Sequence, residues 1–130
     1  MYRGRAAINL IDRTTHQPWE QFSECPHEDL VDPGRVHLDP LGNLHLCQGI
    51  SIGNMFNTPL SDICASYDPQ ADPVIGALLD DGPAELVRRF DLPHKDVYAD
   101  ACHLCFEARL QLRDRFPDTL TPDQVYIDPA

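Results

Sequence analysis

The stretch Cys102-His-Leu-Cys105 limits what this chain can fold into more than any other. Two cysteines separated by two residues can turn both sulfurs toward one soft centre. The pair follows Asp100 and lies in a series with Ala101, Leu104, Cys105, Ala108 and Leu112 at helical spacing. The spacing predicts a helix over 100–116 that opens on the pair and stops at Pro117. At a helix start, free N–H groups and the positive end of the dipole are expected to lower thiol pKa values and favour thiolate. Taken alone, the pair suits zinc, an iron–sulfur cluster or dithiol redox chemistry. The preceding Pro93-His94 stretch does not resemble the strand of a thioredoxin-like unit, which places the redox reading behind the other two.

The chain holds five cysteines, an odd number, and its opening Met1-Tyr-Arg-Gly-Arg-Ala-Ala-Ile-Asn-Leu has too short an apolar core for an export signal. A cytoplasmic chain with reduced thiols is expected, not a disulfide framework. Cys25 and Cys47 bracket a β-hairpin signal. In it Val36 and Leu38, then Leu44 and Leu46, alternate with His37, Asp39 and His45 around Pro40-Leu41-Gly42-Asn43. Gly42 supplies the positive φ of the turn, and four residues of returning strand place Cys47 at the hairpin's far end, where Cys25 also lies. Two cysteines at a hairpin and two at a helix start make four soft ligands, as tetrahedral zinc or a 4Fe-4S cubane requires. Cys64, between Ile63 and Ala65 in a short predicted helix, reads as a small buried hydrophobe.

With 130 residues the chain makes one domain, and Asp plus Glu outnumber Lys plus Arg 21 to 10, giving a net charge of -11. A phosphate backbone or an anionic lipid surface would meet a repulsive field, so neither nucleic acid nor membrane is an expected partner. No apolar run approaches the roughly 20 residues of a bilayer helix. Twelve Pro and seven Gly cut the chain into short elements. A short lead-in helix is read within 5–13, and a loop opened by Gly49, Gly53, Asn54 and Asn57. Next come a helix capped at Thr58 and running to about Tyr67, one capped at Asp72 and stopped at Gly82-Pro83, and another over 84–90. The tail from Thr121 reads as one turn or an edge strand.

Cys25, then Gly42 to Cys47 as Gly-x4-Cys, then Cys102 to Cys105 as Cys-x2-Cys, resembles the twitch domain, the single-cluster short form of the SPASM domain of radical SAM enzymes. Arg3-Gly-Arg-Ala6 is similar to the segment leading from the barrel into that domain. Gly34-Arg-Val-His-Leu-Asp-Pro40, Cys47-Gln-Gly-Ile-Ser-Ile-Gly-Asn54 and Ala101-Cys-His-Leu-Cys-Phe-Glu-Ala-Arg109 are similar to stretches of that group. The resemblance spans residues 3 to 126 and implies an auxiliary 4Fe-4S cluster on Cys25, Cys47, Cys102 and Cys105, in a protein whose expected partners are a radical SAM barrel and a peptide or protein substrate. The 16 residues between Cys25 and Gly42 slightly exceed the usual gap. Nothing matches the Cys-x3-Cys-x2-Cys motif of the SAM-cleaving cluster, so the chain is not expected to cleave SAM by itself.

The expected fold is a small single α+β domain: a lead-in over 1–18, then a β-hairpin and short helices around a four-cysteine site over 19–130. The expected function is an electron relay, or a structural or substrate-positioning accessory. The rival is a zinc-stabilised protein-interaction module using the same four cysteines, and a third reading is a thiol oxidoreductase through Cys102 and Cys105. His45 and His103 read as solvated histidines that sit close enough to ligands to bond a sulfur, and Arg109 as half of an ordinary salt bridge. No Ser/His/Asp set, phosphate-cradling loop or paired-carboxylate motif is present to suggest hydrolytic or transfer chemistry.

Overall fold

The computed structural model describes residues 1–127. Gly-rich turns and a helix-breaking Gly-Pro pair give an α+β arrangement of two small antiparallel sheets and five helices among the described residues. The first helix, α1 (Arg5–Asn9), is followed by a 3-10 turn over Ile11–Arg13 and by β1 (Gln17–Pro18). The hairpin is β2 (His37–Leu38) with β3 (Asn43–Cys47), paired His37 to His45 and Leu38 to Leu44 around Gly42, whose φ is 87°.

The predicted loop after Cys47 is instead a third strand, β4 (Ile50–Asn54), antiparallel to β3 with Cys47 opposite Ile50. Gln48-Gly49 is the tight turn between them, and Gly49 at φ 87° is the residue that closes it. Ile50 is 1% exposed, so the strand's apolar residues anchor the sheet on the core while its glycine and asparagine gave it the look of a loop. In β2 the alternation does not bury its apolar side: Leu38 is 58% exposed, because the edge strand is two residues long and has nothing packed over that face.

Three helices then carry the core. In α2 (Leu60–Ser66) Ile63 is the buried contact. The α3 helix (Pro73–Phe90) starts at Asp72, whose carboxylate accepts from the N–H groups of Val74 and Ile75 at 2.9 Å each, with Pro73 at the first helical position. Its two predicted halves meet at a kink at Asp81 and Gly82, where φ is 67° and ψ -161° at the glycine. After β5 (Val97–Tyr98), which pairs with β1, comes α4 (Ala101–Leu112). Asp100 caps it by accepting from His103 N–H at 2.8 Å. Finally α5 (Asp123–Tyr126) supplies the turn expected in the tail; residues 128–130 of that stretch lie outside the described residues.

The main core joins Leu46, Ile50, Val74, Ile75, Leu78, Leu86, Phe106, Leu112, Leu120 and Tyr126, with Ala7 of the lead-in buried among them. A smaller cluster of Ala84, Val87, Tyr98 and Leu104 covers the other side of α4, against Trp19 and Phe22. Being walled on both sides, α4 is buried nearly all round, His103 and Arg109 included. No helix among the described residues is long and apolar enough to cross a membrane.

Candidate metal or cluster site

Cys25, Cys47, Cys102 and Cys105 line one cavity, closed by Arg3, Leu30, Ile50, Leu78, Pro83 and Arg109 among others, with an internal volume of about 20 Å³, room for about one water. Each arrives by a separate local device. Cys47 ends β3 at the Gln48-Gly49 turn, and Cys102 and Cys105 lie in the first two turns of α4 beneath the Asp100 cap. Cys25 belongs to no regular element, and the break in α3 brings it in: Ala84 N–H donates to Phe22 carbonyl at 3.0 Å, and a side chain on Gly82 would meet Glu24 N and Ser23 C at 2.3 Å. Only a glycine lets the 23–24 segment run that close, and Cys25 is the next residue.

Burial governs the thiols. It pushes Cys102 up to about 12, with the neighbouring Cys105 and Asp100 adding to it and Arg3 opposing. Burial likewise raises Cys105 against the pull of Arg109, and raises Cys25 against the backbone N–H groups of His27 and Glu28. The expectation that the helix start would lower these pKa values is therefore corrected: desolvation outweighs the dipole. Burial thus favours the protonated thiol at Cys25, Cys102 and Cys105, and a thiolate-bound centre would have to displace those protons.

Two guanidiniums face the sulfurs. Arg3 Nη1 donates to Cys47 Sγ at 2.9 Å and Arg109 Nε to Cys105 Sγ at 3.2 Å. Arg109, 1% exposed, also donates from Nη1 to Gln48 carbonyl and to Tyr126 Oη, both at 2.8 Å, and Tyr126 in turn donates to Gly49 carbonyl at 2.5 Å. No carboxylate among the described residues pairs with Arg109, so the ordinary salt bridge expected of it is absent there. A buried cation needs a negative partner, and the only groups beside it able to become anionic are thiols and a phenol.

The two histidines are buried, not solvated, and neither bonds a sulfur. His103 is 0% exposed; its Nδ1 accepts from Ala99 N–H at 3.0 Å and its Nε2 meets Glu107 Oε1 at 3.2 Å, away from the cavity. His45 Nε2 lies 2.7 Å from Asp39 Oδ2, which fixes the proton on that nitrogen and leaves Nδ1 buried without a partner. This pair borders an adjoining cavity that also includes Arg3, Glu28, His37 and Gln48. Cys64 is exposed on α2 and takes no part in the cysteine cavity, a correction to the buried position expected of it.

Among the described residues no group of three or more His, Cys, Asp or Glu side chains is arranged to hold a metal ion. The four cysteines surround a shared space without closing on a point, and a tetrahedral zinc site needs four sulfurs within about 2.3 Å of one ion. A cubane spreads its irons over separate corners, one for each thiolate, so its ligands surround a volume. The cavity thus brings together four thiols and two guanidiniums, with no preformed single-ion site among the described residues.

Comparison of the chain with protein-family models, with curated proteins and with solved structures returns no match. Arg3 is the site residue that sequence reasoning passed over, having been read only as part of the lead-in. It stands 44 positions from the cysteine it bonds, and nothing in the local pattern announces that contact.

Proposed function

We propose that this chain carries an auxiliary 4Fe-4S cluster on Cys25, Cys47, Cys102 and Cys105, in a cytoplasmic protein that serves a radical SAM barrel, on the same chain or another, as electron relay or as a structural or substrate-positioning clasp. The observation that supports it is the convergence of four cysteines from three distant stretches on one cavity, with guanidiniums on two of the sulfurs. Chance burial of small residues explains neither the unpaired buried cation nor the approach of the 23–24 segment against Gly82.

A cluster bound there would supply one-electron transfer at a potential set by its charge, hydrogen bonds and exposure. Four thiolates fill all four corners and leave none for a substrate, which favours electron transfer or stabilisation over Lewis-acid chemistry. Arg3 and Arg109 would hold negative charge on the sulfurs, while Leu30, Ile50 and Leu78 exclude water from around it.

The test is anaerobic reconstitution with iron and sulfide followed by chemical analysis. About four iron and four sulfide per chain are expected. Retention of one zinc per chain with no uptake of iron or sulfide would overturn the reading in favour of the zinc module.

A further inference from the structure

Arg109 and Arg3 hold two of the four sulfurs by charged N–H groups, and neither guanidinium has a carboxylate partner among the described residues. We infer that these two arginines are positioning residues that raise the reduction potential of the centre in the cysteine cavity, Arg109 as a fixed element and Arg3 as an adjustable one. The inference rests on the cluster reading above.

The fixed character of Arg109 follows from its contacts. It lies one helical turn after Cys105 on α4, so its side chain points back along the helix over the cysteine. A second nitrogen, Nη1, donates to both Gln48 carbonyl and Tyr126 Oη. Tyr126 is itself held by Gly49 carbonyl and stacks on Phe106, with ring centroids 5.8 Å apart and planes 7° from parallel. With Nε and Nη1 both committed, this cation is held in place when the charge beside it changes. Arg3 is only partly buried and precedes α1, so the same charge arrives on a more accessible segment.

One-electron reduction by an external donor adds one negative charge to the buried centre. A cation donating hydrogen bonds to ligating sulfurs stabilises the more negative state by more than the less negative one, and the potential rises. The sulfurs differ in this respect: Cys47 and Cys105 take charged donors, whereas Cys25 and Cys102 have no guanidinium on them among the described residues.

The experiment is a spectroscopic titration of the reconstituted chain with dithionite, on wild type and the Arg109→Gln, Arg3→Gln, Arg109→Lys and Arg13→Gln variants, with iron and sulfide determined on each. Arg109→Gln and Arg3→Gln are each expected to lower the reduced-to-oxidised ratio at fixed potential about tenfold, equivalent to about 59 mV for one electron. Arg109→Lys, which keeps the charge, should recover most of that, and Arg13→Gln, on the exposed 3-10 turn, should stay within twofold. If Arg109→Gln fails to fold or to take up iron, Arg3→Gln decides. A wild type that takes up no iron overturns the functional reading and this inference with it. Wild type with four iron, and Arg3→Gln and any loaded Arg109→Gln within twofold of it, overturns this inference alone, whatever the variants do to melting temperature.

Discussion

Single replacement of each cysteine by alanine separates the cavity from the rest of the chain, and the structure sets the magnitudes. Cys47, Cys102 and Cys105 are each 9% exposed and line a small cavity, so the unloaded chain should lose about 1 kcal/mol on truncation of any one. Cys64 is exposed, so Cys64→Ala should fall within about 0.5 kcal/mol of wild type. In the loaded chain the contrast widens. A ligand present at about a hundred times its dissociation constant adds about 2.7 kcal/mol, worth about 10 °C of melting temperature for a domain of this length. Cys25→Ala, Cys47→Ala, Cys102→Ala and Cys105→Ala should each forfeit that gain and most of the iron, and Cys64→Ala should keep both. The assay is thermal unfolding under nitrogen, before and after reconstitution, with iron counted on the same samples. Loss of iron in Cys64→Ala together with its retention in Cys25→Ala would refute the reasoning, since the cavity would then not be the binding site.

Two further outcomes follow from the scaffold. Gly82→Ala should cost about 3 kcal/mol or more and reduce iron uptake, because its φ of 67° strains an alanine and the new side chain would strike the backbone of Ser23 and Glu24; unchanged melting and iron content would show that Cys25 is not placed by that contact. Burial alone would raise Asp39, but hydrogen bonds from His45, Asn43 and the Leu41 N–H outweigh it and hold the carboxyl below 3.8. Its contribution to stability is therefore complete above about pH 4 and is lost as pH falls through the lower folded value. Asp39→Asn should be less stable than wild type at pH 6, with the gap closing toward pH 2.5 in melting experiments; a gap independent of pH would sink that assignment.

How much of this could be read from the sequence depends on the range of the physics. Signals carried by a few neighbouring residues were legible: the hairpin turn at Gly42, the Asp72 cap and the stop at Gly82-Pro83, whereas Asp100 was read as helical and proves to be the cap of a helix that ends at Leu112, not Phe116. The β4 strand was hidden because its Gly53 and Asn54 imitate a loop, though Ile50 and Ile52 alternate and Gln48-Gly49 marks a turn. The two-residue pairing of β1 with β5, Gln17 to Tyr98 and Pro18 to Val97, joins segments distant in the chain and leaves no local trace. The four cavity cysteines were the ones proposed from spacing and resemblance, and the cavity brings them together. The environment of that cavity was not legible, because burial is a property of the whole fold. His45 and His103 are polar residues whose partners, Asp39 and Glu107, make burial tolerable, and Arg3 reaches a cysteine through tertiary contact alone.

The charges in the cavity bear on which centre suits it. When the thiols are protonated, two guanidiniums stand beside neutral sulfur, an arrangement that a low-dielectric interior penalises. When all four are thiolates, the two cations leave a net charge of minus two, which a dipositive centre brings to zero. Zinc and an oxidised cubane core both carry that charge, so neutrality accounts for the arginines under either reading. The readings part on what happens next. Zinc has no further electron to accept, and two cations beside it would add nothing beyond charge balance. A cubane can accept one, the cavity then carries a net charge of minus one, and N–H groups already aimed at the sulfurs meet that charge without reorganising. The same two arginines thus predict a potential that moves with their charge, an effect that a redox-inactive ion has no means of producing.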